Sequence, residues 1–137
     1  MTISAATVRA FLVGALLALG LVVTSCATSS EADGKVTVVR PQEAVALVES
    51  GEYEVLDLRS PVAFEAAHAV GAVNVPFNDG EFAEELFDLD PDEHYLVYAR
   101  RPAEAADAAD RMVALGFSYV VDAGAFGLLA IAGAEVE

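Results

Sequence analysis

The chain has 137 residues, 55% of them hydrophobic, with seven Lys plus Arg against 22 Asp plus Glu, a formal charge of −15 and one cysteine. This length supports one compact domain. So negative a charge repels phosphate backbones and anionic headgroups and argues against nucleic-acid binding, and a lone cysteine excludes an internal disulfide and any CxxC zinc or redox site.

The first element is a targeting segment. Met1 to Arg9 carries one cation, and Ala10 to Val23 is an uninterrupted run of 14 apolar or glycine residues, the form of a secretory signal peptide. Val23-Thr24-Ser25-Cys26 follows it directly and resembles the bacterial lipobox, in which small residues enter a peptidase cleft and the cysteine thiol accepts a diacylglyceryl group. Each buried acyl methylene contributes about 0.8 kcal/mol, so two or more chains anchor a protein stably. The sequence thus divides into a lipoprotein signal peptide (1–25), lipidated Cys26 with a flexible tether (26–35), and a folded domain (36–137). The competing reading is an uncleaved anchor helix, because no charge lies between Arg9 and Glu31 and about 20 apolar residues span a bilayer. The polar residues Thr24, Ser25, Thr28, Ser29 and Ser30 weaken that alternative. Either route places the domain on the extracytoplasmic face of the cell membrane. Beyond Cys26 lie all 22 acids and six of the seven bases, so the domain stands away from an anionic surface.

Strand and helix then alternate. Val36 to Val39 is a short β-branched strand. Pro41 opens a helix with apolar Ala44, Val45, Leu47 and Val48 that stops at Gly51. Glu54 to Leu58 is a second strand, and Ser60-Pro61 caps and opens a helix to about Ala67. Val73 to Val75 is a third strand, Gly80 to Phe87 a helix, and Asp90-Pro91-Asp92 a turn. The apolar run Tyr95 to Tyr98 suits the interior of a parallel sheet. Ala103 to Leu115 is an alanine-rich helix with acids toward its start and Arg111 toward its end, as the helix dipole favours. Ser118 to Val121 is the last strand, followed by a Gly- and Ala-rich helical segment through Ala132. Strands separated by helices of this length predict an α/β fold, a doubly wound parallel sheet with helices on both faces in a single domain.

Two strings give this pattern a family resemblance. Val55-Leu56-Asp57-Leu58-Arg59-Ser60-Pro61 with Phe64, and His68-Ala69-Val70-Gly71-Ala72-Val73-Asn74-Val75-Pro76, resemble the opening and the Gly-Ala-x-Asn-x-Pro element of single-domain rhodanese-like proteins. Leu115-Gly116-Phe117, Val120-Val121-Asp122 and Ala132-Gly133 complete the likeness from about Val36 to Glu137. The resemblance implies the rhodanese-like fold and, for active members, a Cys-x-x-Gly-x-Arg loop after the strand ending at Tyr98, whose cysteine carries sulfur as a persulfide.

This chain departs from that loop. At Ala99, Arg100, Arg101, Pro102, Ala103 and Glu104, the alignment puts Ala99 at the cysteine, Pro102 at the glycine and Glu104 at the arginine. A methyl group cannot replace a thiolate as sulfur carrier. Proline removes an N–H donor from a loop built of them. A carboxylate about 5 Å from a bound anion opposes it by about 3 kcal/mol at an effective dielectric near 20. Arg100 and Arg101 offset this only if they turn inward, whereas exposed loop arginines usually face water.

The other polar residues have plain readings. Asp57 and Arg59 are expected to form a structural pair at a strand end, His68 to bond nearby backbone, and His94 to be solvated in an acidic turn. Tyr53, Tyr95, Tyr98 and Tyr119 are expected to pack. The acids show no metal-ligand spacing, and no cofactor is implied. Two functions follow as expectations. The first is a catalytically inactive rhodanese-like module, lipid-anchored outside the cytoplasm, binding a protein partner or small ligand through the degenerate loop. The second is an enzyme of altered chemistry, sulfurtransferase- or phosphatase-like, acting on a small anionic substrate without the usual cysteine.

Overall fold

The computed structural model describes residues 34–137, so Cys26, the apolar run before it and most of the tether lie outside the described residues. The elements are β1 (Lys35–Val38), α1 (Pro41–Ser50), β2 (Glu54–Asp57), α2 (Pro61–Ala66), β3 (Val73–Asn74), α3 (Phe82–Glu85) with a following 3-10 turn (Leu86–Asp88), β4 (His94–Ala99), α4 (Pro102–Ala114), β5 (Tyr119–Ala125) and α5 (Phe126–Ala132). The strands form one sheet in the order β1-β5-β4-β2-β3, and every neighbouring pair is parallel.

Side-chain alternation along the strands builds two cores. Leu56, Tyr95, Val97 and Val120 point to the face covered by α4, where Ala105, Ala108, Ala109 and Met112 form the helix's buried stripe. Val55, Leu96, Tyr98 and Val121 point to the opposite face with Ala44 and Val45 of α1 and Leu129 of α5. β4 is therefore buried on both faces, which explains its continuous apolar run. The α/β class and the two-faced parallel sheet are as the sequence predicts.

Local chemistry sets the helix ends. In α1 the Glu43 carboxylate accepts the Arg40 backbone N–H at 3.0 Å, Pro41 occupies the first turn, and Gly51 closes the helix at φ 70, a conformation that carries no steric cost for glycine. Ser60 caps α2 by accepting the Ala63 N–H at 3.4 Å. In α4, Pro102 occupies the first turn, where a missing N–H costs nothing.

Two expectations need correction. The helix over 80–87 is a single turn, Phe82–Glu85, continued as a 3-10 turn, because Gly80 at φ 88 keeps the chain out of helix until Glu81. The last strand does not stop at Val121; β5 continues through Asp122-Ala123-Gly124-Ala125. Those residues are poor strand formers, but pairing holds them: Val97 is opposite Asp122 and Ala99 opposite Ala125, and the Val39 N–H donates to the Asp122 carbonyl at 3.2 Å.

Candidate functional site

β2 continues to β3 on one side of the sheet while its neighbour β4 continues to β5 on the other. The crevice beyond the C-terminal ends of β2 and β4 is thus a topological switch point, the usual place for a ligand in an open parallel sheet. A cavity of about 380 Å³ opens there, within the range of small-ligand sites. The turn after β2 (Leu58 to Ala63), the segment after β3 (Pro76, Asn78, Asp79) and the start of α4 (Arg100, Glu104) enclose it.

Behind the cavity is a buried polar network. Asp57, at the end of β2, is fully buried. Its carboxylate accepts the Arg59 backbone N–H at 2.9 Å, Arg59 Nε at 3.0 and 3.1 Å, Arg59 Nη2 at 2.6 Å and the Tyr98 hydroxyl at 2.8 Å. Arg59 Nη2 also donates to the Ala67 carbonyl at 2.6 Å, and its guanidinium lies 3.8 Å over the Phe126 ring. The Tyr98 hydroxyl in turn accepts the Ala69 N–H at 3.1 Å. Asn74 Nδ2 donates to the carbonyls of Asp57 and Arg59, both at 2.9 Å. Burial works against the Arg59 charge, but the Asp57 hydrogen bonds and charge outweigh it and hold the guanidinium above its ordinary pKa. Burial pushes the Tyr98 phenol well up, and the neighbouring Asp57 carboxylate adds to the rise against the Ala69 N–H. Tyr98 stays protonated and donating. Asp57 and Arg59 are thus an ion pair fixing the turn after β2.

Residues 99–104 do not form one loop. Ala99 is the last residue of β4, 1% exposed, and belongs to the same core cluster as Leu58, Val75 and Ala105. Arg100 and Arg101 alone join β4 to α4, and Pro102, Ala103 and Glu104 are the helix's first turn. The N–H groups of Glu104 and Ala105 both donate to the Arg101 carbonyl, at 3.1 and 3.3 Å. The expectation that Pro102 is unfavourable in a loop of N–H donors is corrected: it stands at the start of a helix, where its fixed φ is favourable and its missing N–H has no intrahelical partner to lose.

Arg100 and Arg101 face water, as the sequence suggests, with side chains 71% and 67% exposed, yet both reach Glu104. Arg100 Nη2 donates to Glu104 Oε1 at 3.1 Å, and Arg101 Nε and Nη2 donate to the same oxygen at 3.1 and 2.6 Å. Burial raises the Glu104 pKa, but these hydrogen bonds and charges outweigh it and hold the carboxyl below its ordinary value. Glu104 is therefore an ionised, nine-tenths buried carboxylate at the cavity wall.

The histidines lie away from the cavity. His68 stacks on Phe64 with ring centroids 3.7 Å apart, shares a hydrogen bond between Nδ1 and the Phe64 carbonyl at 2.8 Å, and lies 3.4 Å from Glu137. His94 is exposed but contacts Tyr53 and Tyr119. Tyr95 is buried and donates to the Asp90 carbonyl at 2.9 Å. Among the described residues no group of three His, Cys, Asp or Glu is placed to hold a metal ion, and no helix is long and apolar enough to cross a membrane.

Sequence reasoning missed two members of the network. Tyr98 is expected only to pack, although it lies opposite Asp57 in the β2–β4 register, and Phe126 is not singled out at all. A tyrosine one strand away from a buried aspartate was the available signal. Phe126 offered none, since it approaches Arg59 only through the fold.

The model of the rhodanese-like domain matches residues 40–129. The chain belongs to the rhodanese-like family. Solved structures agree on this rhodanese-like fold. A rhodanese-related protein from Thermoplasma volcanium is 22% identical, with a TM-score of 0.64, and the match covers 74% of this chain and 97% of that one. The rhodanese-like domain of an Anabaena protein is 19% identical with a TM-score of 0.65, covering 72% and 76%. A rhodanese from E. coli described as holding anions is 19% identical with a TM-score of 0.52, covering 62% and 96%. No curated protein matches the chain.

Proposed function

We propose that this rhodanese-like domain is non-catalytic and acts as a binding or regulatory module, displayed outside the cytoplasm on a lipid anchor at Cys26. The observation that carries the reading is Ala99. The residue aligned with the sulfur-carrying cysteine is an alanine packed in the core, and the only cysteine of the chain precedes the domain. Sulfur transfer needs a thiolate to accept, hold and release the sulfur atom. Glu104 supports the same reading, because its carboxylate engages both Arg100 and Arg101 and so occupies the cations that would otherwise meet a thiosulfate or phosphate ligand. The Asp57–Arg59 pair is committed to structure, and among the described residues no nucleophile beside the cavity is hydrogen-bonded to a neighbouring base.

The test is turnover by the full chain with thiosulfate and cyanide, and with phosphoester substrates. No turnover above the uncatalysed rate is expected; turnover abolished by a Glu104 or Arg101 substitution would overturn the reading. The anchor is tested separately. Cys26→Ala should block lipidation and release of the processed form, and unchanged membrane attachment of that variant would favour an uncleaved helix.

A further inference from the structure

The cavity between β2 and β4 combines apolar walls with carboxylates. Leu58, Pro61 and Pro76 supply carbon surface, while Glu104 and Asp79 supply acid. Among the charged lining residues, Arg59 is neutralised from behind by Asp57, and Arg100 shares Glu104 with Arg101. All three hydrogen bonds to Glu104 fall on Oε1, leaving Oε2 without a protein donor; since no buried side-chain oxygen among the described residues lacks a partner, Oε2 is the solvent-reached oxygen of this largely buried side chain. Asp79 likewise uses only Oδ1, which accepts the Glu81 N–H at 2.9 Å. Glu81 and Glu85 lie near Asp79 but outside the cavity lining: burial raises the Glu85 pKa, and the charges of Asp79 and Glu81 raise it further. A chain charge of −15 adds a long-range field that attracts cations.

Deepening the proposed binding role, on which it rests, we infer that this cavity takes an alkylammonium or alkylguanidinium group. Its carbon stem lies along Leu58, Pro61 and Pro76 and its head donates to Glu104 Oε2 and Asp79. Long basic groups are matched to such a site because they bury their methylenes while keeping the charged end on polar atoms. The cation competes with Arg100 for Glu104, and Arg100 is free to swing away because its side chain is 71% exposed. The same head group occurs in a free polyamine-like molecule and in a lysine or arginine side chain of a partner protein.

The experiment titrates the full chain, in non-ionic detergent, with agmatine, with the peptide acetyl-Gly-Gly-Arg-Gly-Gly-amide and with sulfate, following backbone amide resonances. Agmatine or the arginine peptide should shift the Ala63, Asp79 and Glu104 amides saturably. Saturation by the peptide alone assigns the head group to a protein side chain, and saturation by agmatine alone assigns it to a free amine. Affinity should fall at least tenfold in Glu104→Gln and in Asp79→Asn, and should hold or rise in Arg100→Ala. Asp79 is exposed and outside the core, so its variant keeps the test decisive if Glu104→Gln unfolds. No saturable shift with either basic probe, affinity unchanged in Asp79→Asn, or saturation of these amides by sulfate instead would overturn the inference. Thiosulfate turnover would overturn the non-catalytic reading without touching these titrations, so the two failures are separable.

Discussion

The Tyr98 hydroxyl donates to the Asp57 carboxylate at 2.8 Å while accepting the Ala69 N–H at 3.1 Å, so one buried oxygen ties β4 to the end of β2 and to the segment leading into β3. Tyr98→Phe keeps the ring and its packing near Phe126 but leaves the Ala69 N–H without its partner. An unsatisfied buried donor costs about 1–3 kcal/mol. Chemical denaturation should show a loss of that size with an unchanged m-value. A change below about 0.5 kcal/mol would mean that water or a backbone shift replaces the hydroxyl.

Arg59→Met removes the cation while preserving much of the side chain's volume over Phe126. Asp57 then retains only the Tyr98 hydroxyl and the backbone N–H of residue 59 as donors. Breaking a buried ion pair on one side costs about 3–5 kcal/mol, because the remaining charge is left uncompensated. Asp57→Asn with Arg59→Met should recover part of this, and the double-mutant cycle measures the coupling. Additivity of the two single effects would contradict the paired arrangement.

The sequence made the architecture legible because burial and period agree there. The run from Tyr95 to Tyr98 is apolar at every position since β4 has helices on both faces, and Ser60, Pro41 and Gly51 mark helix ends by local chemistry that needs no tertiary context, whereas Pro102, which opens α4, reads from the sequence as part of a loop. The site was less legible. The Asp57–Arg59 relation could be expected from spacing on a turn, but the engagement of both exposed arginines with one oxygen of Glu104 depends on α4 starting at Pro102, immediately after Arg101. The extension of β5 through Asp122 to Ala125 was hidden for a similar reason: its residues have weak strand preference, and it is pairing with β4 that holds them.

Two carboxyls give opposite dependences on pH. Glu104 has a folded-state pKa below its unfolded value because Arg101 and Arg100 outweigh burial. Its contribution is therefore present above the unfolded pKa and is lost as pH falls through the lowered folded value. With both arginines mostly exposed, Glu104→Gln should cost no more than about 1 kcal/mol at neutral pH, and the difference from the native chain should vanish in acid. Asp122 has a raised pKa because burial outweighs the hydrogen bond from the Gly124 N–H, with Asp110 adding to the rise. Its ionisation works against the fold, so Asp122→Asn should raise the melting temperature at neutral pH, with the gain shrinking as pH falls and the native carboxyl becomes neutral. Denaturation profiles between acid and neutral pH check both signs, and parallel curves for either variant would refute its assignment.

Ala99→Cys tests how far the site lies from sulfur chemistry. The side chain at 99 is 1% exposed at the end of β4, two residues before the cap of α4, and the carboxylate of Glu104 stands in the first helical turn. Burial and a nearby negative charge both disfavour a thiolate, whereas a helix N-terminus favours one. With the first two acting together, the single variant should alkylate at least about tenfold more slowly than a free thiol of ordinary pKa and should show no thiosulfate-cyanide turnover. Adding Pro102→Gly and Glu104→Arg restores a backbone donor and replaces the repelling charge by a favourable one. The triple variant should therefore alkylate faster than the single variant at neutral pH, with the midpoint of its pH-rate profile moved down. If single and triple variants share one midpoint, the charge at 104 does not govern the site, and burial of position 99 by Leu58, Val75 and Ala105 is what keeps it inert.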